Sequence, residues 1–111
     1  MNKRFPMVFL SLSLYLVFSS TTYAVDNGFD QICHVYTQIL TAPSNKTLSK
    51  DKLMGMIYKK IHNTVTSKSA LNAYDTFMAA NPKYRYSMLK EMAETELKHS
   101  WECQIIDKFN Y

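Results

Sequence analysis

The sequence predicts an all-α protein: a small single domain of four to five short helices, stapled by one disulfide, behind a cleaved signal peptide. Three observations carry that expectation. Apolar residues recur at helical spacing through most of the chain, with no sustained alternation of strand type. There are two cysteines and only two glycines in 111 residues. The N-terminus has the charged, apolar and small-residue sections of a secretory signal.

Residues 1–6 carry Lys3 and Arg4, and residues 7–18 form an uncharged, largely apolar run. Thr22-Tyr23-Ala24 then places small residues at the two positions a signal peptidase reads. Cleavage is expected after Ala24, giving a signal peptide over 1–24 and a helical domain over 25–111. The apolar run is too short for a spanning helix, which needs roughly 20 residues. No cysteine follows the cut closely enough to take a lipid.

In the first helix, Phe29, Ile32, Cys33, Tyr36, Ile39 and Leu40 fall on one apolar face. Asp26 or Asn27 is suited to cap its free N–H groups. Residues 41–49 hold Pro43, Ser44 and Asn45 and read as a loop. Ser49 is expected to cap a second helix running to about residue 66, with Leu53, Ile57, Ile61 and Val65 inward. Gly55 within it implies either close packing or simple tolerance. A third helix is expected over 69–80, with Leu71, Tyr74, Phe77 and Met78 inward. Asn81-Pro82 marks a boundary, since proline ends one helix and suits the first position of the next. The fourth helix is then expected over 82–99, with Leu89, Met92, Ala93 and Leu97 as its core face. Ser100 either continues it or caps a last helix carrying Trp101, Ile105 and Phe109 on its apolar side.

An even cysteine count in a small exported domain predicts a bond between Cys33 and Cys103. The chain-entropy view values a loop of about 70 residues at about 4.4 kcal/mol. A domain this small buries only about two-thirds of its unfolded surface, so such a staple matters. The alternative is a copper or zinc carrier. His99 and Cys103 share a face if that stretch is continuous helix, and His34 adjoins Cys33, so Cys33, His34, His99 and Cys103 make a possible ligand set. Against it, His34 points about 100° away from Cys33 on an ideal helix. Met54, Met56, Met78, Met88 and Met92 offer soft sulfur, but helical spacing favours core filling. Glu96 and His99 give one Glu-x-x-His pair, where a di-iron bundle needs two.

Catalysis finds little support. Gly28 and Gly55 exclude a glycine-rich phosphate loop, no nucleophile elbow occurs, and His62 has no partner at a motif-defining spacing. No enzymatic activity and no cofactor are expected. Loss of Lys3 and Arg4 with the signal takes the formal charge from +4 to +2, too little for a dedicated nucleic-acid binder. The charge is uneven, however. Lys46, Lys50, Lys52, Lys59, Lys60 and Lys68 stand against Asp51 alone over residues 46–68. That basic segment is suited to dock an acidic protein or an anionic membrane surface. Lys52, Lys59 and Lys60 are its expected contact residues. Tyr84, Arg85 and Tyr86 form a second candidate cluster, of residue types favoured at interface hot spots. Asn45-Lys46-Thr47 matches a glycan acceptor, relevant only in a eukaryotic host, whereas the Lys/Asn/Tyr-rich usage reads as bacterial.

The general plan of signal, short mature chain, cysteine pair and helices resembles that of the small acid-stress chaperones of the periplasm. The resemblance is architectural and implies no role for any residue. The expected function is therefore protein–protein binding in the periplasm or outside the cell, of inhibitor, immunity, chaperone or secretion-accessory type.

Overall fold

The computed structural model describes residues 27–109; the expected signal peptide and its cleavage site lie outside them. Five α-helices and two short 3-10 turns account for most of this stretch, and no strand occurs among the described residues. The helices are α1 (Gly28–Thr41), α2 (Lys50–Thr64), α3 (Lys68–Ala79), α4 (Arg85–Leu97) and α5 (Gln104–Phe109). Helix α1 is central, packing against α2, α3 and α5, while α4 lies along α3.

Local chemistry explains the boundaries. Asn27, Ser49 and Ser67 each accept a hydrogen bond from a backbone N–H in the first turn, capping α1, α2 and α3. At the other end of α1, the Asn45 side-chain amide donates to the Ile39 carbonyl at 2.9 Å. Arg85 closes α3 similarly, donating from Nε to Ala80 O and from Nη2 to Met78 O, both at 3.0 Å. These bonds satisfy carbonyls that a helix end leaves without partners.

One core runs through the described residues. Phe29, Ile32, Tyr36, Ile57, Ile61, Tyr74, Phe77, Leu89 and Ile106 are its largest fully buried side chains. At its centre the Tyr36 and Tyr74 hydroxyls meet at 3.0 Å with their rings edge to face. Each hydroxyl thus finds a partner away from water, as a buried polar group requires. Burial pushes the Tyr74 phenol up to about 12, and desolvation raises Tyr36 further, so both stay neutral across the physiological range.

The two glycines differ sharply. A Cβ on Gly28 would fall 2.5 Å from Ala70 Cβ and 2.9 Å from Ser67 Cβ, so α1 and α3 approach closely only because Gly28 has no side chain. A Cβ on Gly55 would meet nothing within 4 Å, so that position reflects tolerance and not tight packing.

The largest departure from expectation concerns residues 82–103. Pro82–Tyr84 is a separate 3-10 turn, with Asn81 capping Lys83 N–H, and α4 begins only at Arg85. Helix α4 stops at Leu97 because Lys98 takes the left-handed conformation at φ 64°. That conformation costs a non-glycine residue about 1 kcal/mol. The cost is offset by what the turn allows. Trp101 and Cys103 are buried in a non-helical segment, and the last helix starts at Gln104 with Ile106 as its fully buried residue. The expected stripe of Trp101, Ile105 and Phe109 on one helix does not form.

Substitution should separate these features. Gly55→Ala is expected to raise unfolding stability by up to about 1 kcal/mol, whereas Gly28→Ala should lower it by about 1–3 kcal/mol through overpacking. Urea unfolding followed by circular dichroism reads both. The Glu94 carboxylate accepts from Lys90 Nζ and from the Trp101 backbone N–H, and these bonds hold its carboxyl below the usual range. Its stabilising contribution is full above the unfolded value of about 4.3 and disappears as pH falls through the lower folded value. Stability measured from pH 5 down to pH 2 should fall less steeply in Glu94→Gln than in the parent; parallel acid limbs would refute this role.

Candidate functional site

Cys33 on α1 and Cys103, just ahead of α5, form the disulfide, with Cα atoms 5.9 Å apart. A thiolate is what binds a metal, and neither sulfur has one while the bond stands. The break at Lys98 also removes the continuous helical face that would have carried His99 and Cys103 together. His99 Nδ1 instead lies 2.9 Å from the Ser100 carbonyl, and His34 is exposed on α1. Among the described residues, no group of three or more His, Cys, Asp or Glu side chains is placed to hold a metal ion.

The Tyr84, Arg85 and Tyr86 cluster separates in space. Tyr84 is 56% exposed and carries Lys83 over its ring. Arg85 spends its guanidinium on the end of α3, as described above. Tyr86 accepts a hydrogen bond at its hydroxyl from Cys103 N–H, at 2.8 Å. Tyr84 is thus the exposed member, while Arg85 and Tyr86 are half-buried and also make contacts within the fold.

The lysines behave differently. Lys52, Lys59 and Lys60 are all exposed on α2. The side-chain ion pairs among the described residues are His62 with Asp75 and Lys90 with Glu94, so none of these three lysines is neutralised by one. Helix α2 buries only Ile57 and Ile61 fully, which leaves most of its circumference to solvent. Between α1 and α2 the surface dips into two adjoining hollows that share Lys60 and Thr64. The larger, about 500 Å³, is lined by Ile39, Met56, Lys59, Lys60, Asn63 and Thr64. The smaller, about 170 Å³, is lined by Gln31, His34, Val35, Gln38, Lys60 and Thr64. Neither lining contains an acidic residue.

A third groove, about 650 Å³, lies between α3 and α4 over Phe29, Ala73 and Met92. Its rim has the opposite sign, with Glu91 and Glu96. Ser69 donates to Glu96 at 2.8 Å, tying the two helices across that rim. On the other side of α3, His62 Nε2 and Asp75 Oδ1 lie 3.0 Å apart, and the Tyr58 ring lies against the His62 ring at a tilt, centroids 4.3 Å apart.

The basic α2 face was visible in the sequence as lysine density. The hollows beside it were not, because they depend on the spacing between two helices; the polar series Gln31, His34 and Gln38 along α1 was the available signal. No family model matches this chain, and no curated protein or solved structure does either.

Paired Cys33→Ser and Cys103→Ser changes should lower stability by up to about 4 kcal/mol, the loop-closure value for this separation. Denaturant midpoints of oxidised, reduced and doubly substituted protein check this. Reduction that leaves the midpoint unmoved would mean that packing alone holds Cys103 in place.

Proposed function

We propose that this protein is exported and acts by binding another protein through the basic face of α2, without catalysis of its own. The observation that carries the reading is the set of exposed lysines Lys52, Lys59 and Lys60, none held in an ion pair among the described residues. Charge left unneutralised on a stapled helical scaffold attracts an oppositely charged partner and speeds its encounter. The disulfide fits the oxidising compartments outside the cytoplasm, and the periplasm is the compartment we favour. An acidic protein surface is the partner chemistry that complements these residues.

Charge reversal tests the reading. Lys52→Glu, Lys59→Glu and Lys60→Glu together should abolish capture of acidic proteins from the exported fraction by the immobilised protein. The corresponding Lys→Arg changes should preserve capture, and salt should weaken it. Circular dichroism confirms that the variants are folded, since these side chains are exposed. Capture unchanged by charge reversal would remove the α2 face from the function.

A further inference from the structure

We propose that the two hollows along the α1–α2 seam form one groove that takes an acidic amphipathic helix of the partner, its apolar residues seated over Val35, Ile39 and Met56 and its carboxylates on Lys59 and Lys60. This rests on the binding role proposed above and specifies the kind of segment bound.

Charge complementarity argues first. Lys59 and Lys60 line the hollows, and no Asp or Glu side chain lines either one. The nearest carboxylate in sequence, Asp30, is engaged elsewhere, accepting from Trp101 Nε1–H at 3.0 Å and from the Asn27 amide at 2.8 Å. The groove therefore presents a positive rim over an apolar floor, and its complement is apolar with negative flanks.

Shape then selects among the ways a peptide is recognised. Adding a strand requires a sheet edge, and the described residues contain no strand. Polyproline segments dock on grooves built from Tyr, Trp and Phe, and neither lining contains one of these. Phosphopeptide sites use arginine clusters, and no arginine lines these hollows. A helix in a groove remains. The α1 lining runs from Gln31 to Ile39, which at helical rise spans about 12 Å. Anchors at i, i+3, i+4 and i+7 on a bound helix span about 10.5 Å and fit that length. Met56 on the floor suits such a site, because a flexible thioether adapts to differing apolar partners. The groove between α3 and α4 is the weaker candidate, since the Ser69 to Glu96 bond already bridges it.

The probe is a designed peptide held helical by a side-chain cross-link on its outer face, with leucines at i, i+3, i+4 and i+7 and glutamates on either side. Two controls accompany it: the same composition with the leucines scrambled off one face, and the same leucines with lysines replacing the glutamates. Binding is read by methyl and amide NMR shifts of the oxidised protein. The expected result is saturable binding of the acidic amphipathic peptide alone, with shifts centred on Val35, Ile39, Met56 and Thr64. Lys59→Glu with Lys60→Glu should weaken it about tenfold, and Met56→Ala, which removes the thioether without setting a charge against the core, should weaken it as well, with the amide spectrum checking that the fold is kept. Equal binding of the scrambled peptide, or shifts confined to Lys52 and its neighbours, would overturn the groove while leaving a flat electrostatic contact on α2 standing. Absence of binding by any peptide, with charge reversal still abolishing capture of the natural partner, would overturn the helical segment but not the binding role. Cosedimentation with vesicles of phosphatidylglycerol and phosphatidylcholine, lost on the same lysine changes and without peptide binding, would reassign the groove to a membrane surface.

Discussion

Trp101 is fixed through both of its N–H groups to carboxylates on different helices. Its backbone N–H reaches Glu94 on α4, at 2.9 Å, and its indole N–H reaches Asp30 on α1, at 3.0 Å. Its carbonyl accepts from Lys90 Nζ, also at 2.9 Å, and its ring packs edge to face on Phe29. Two residues on, Cys103 donates to the Tyr86 hydroxyl and is bonded to Cys33. A segment without helical hydrogen bonds thus carries the contacts that join α1 to α4. Remove Trp101 and Cys103 from that position, and α5 loses the path that brings Ile106 into the core. The left-handed Lys98 is the local cost of this arrangement, small beside a charge-assisted hydrogen bond, a buried indole and a covalent link.

Helices α1 to α3 were legible from apolar periodicity, with which capping residues agreed in α1 and α2. Asn27 and Ser49 stand where the pattern begins in α1 and α2, and Phe29, Ile32, Tyr36 and Ile39 recur as a buried face should, whereas the Ser67 cap of α3 was seen only in the structure. The cysteine pairing was legible from composition and expected compartment. The C-terminal third misled for a physical reason. Leu97, Trp101, Ile105 and Phe109 are spaced four apart and mimic one continuous helix, yet the chain turns at Lys98, which has none of the usual marks of a helix stop. What decides the turn is the indole reaching Asp30, a partner 71 residues away in sequence. The same limit applies to Arg85 and Tyr86, whose neighbours in the fold could not be read from their neighbours in the chain.

Stability and exposure are divided unevenly among the helices. Helix α1 is covered on several sides and supplies Phe29, Ile32, Val35, Tyr36 and Ile39 to the core. Helix α2 rests mainly on α1, helped by the His62 pairing with Asp75 and by Lys50 over the Phe109 ring. The fold therefore asks little of the outer surface of α2, where Lys52, Lys59 and Lys60 are exposed and held in no side-chain ion pair among the described residues. Sequence change there meets weak constraint from packing, which is the condition under which a surface can be shaped by what it binds.

The cysteine bond closes a ring of chain with a sequence separation of 70, and α2, α3 and α4 lie wholly within it. The exposed turn at Pro43, Ser44, Lys46 and Thr47 also lies inside that ring. A single backbone cut at this turn, the kind of site where proteases act first, opens the ring but leaves one covalent molecule. The severed α1 stays attached through Cys33, next to the side chains it packs against. A second cut, or reduction, is needed before any piece can diffuse away.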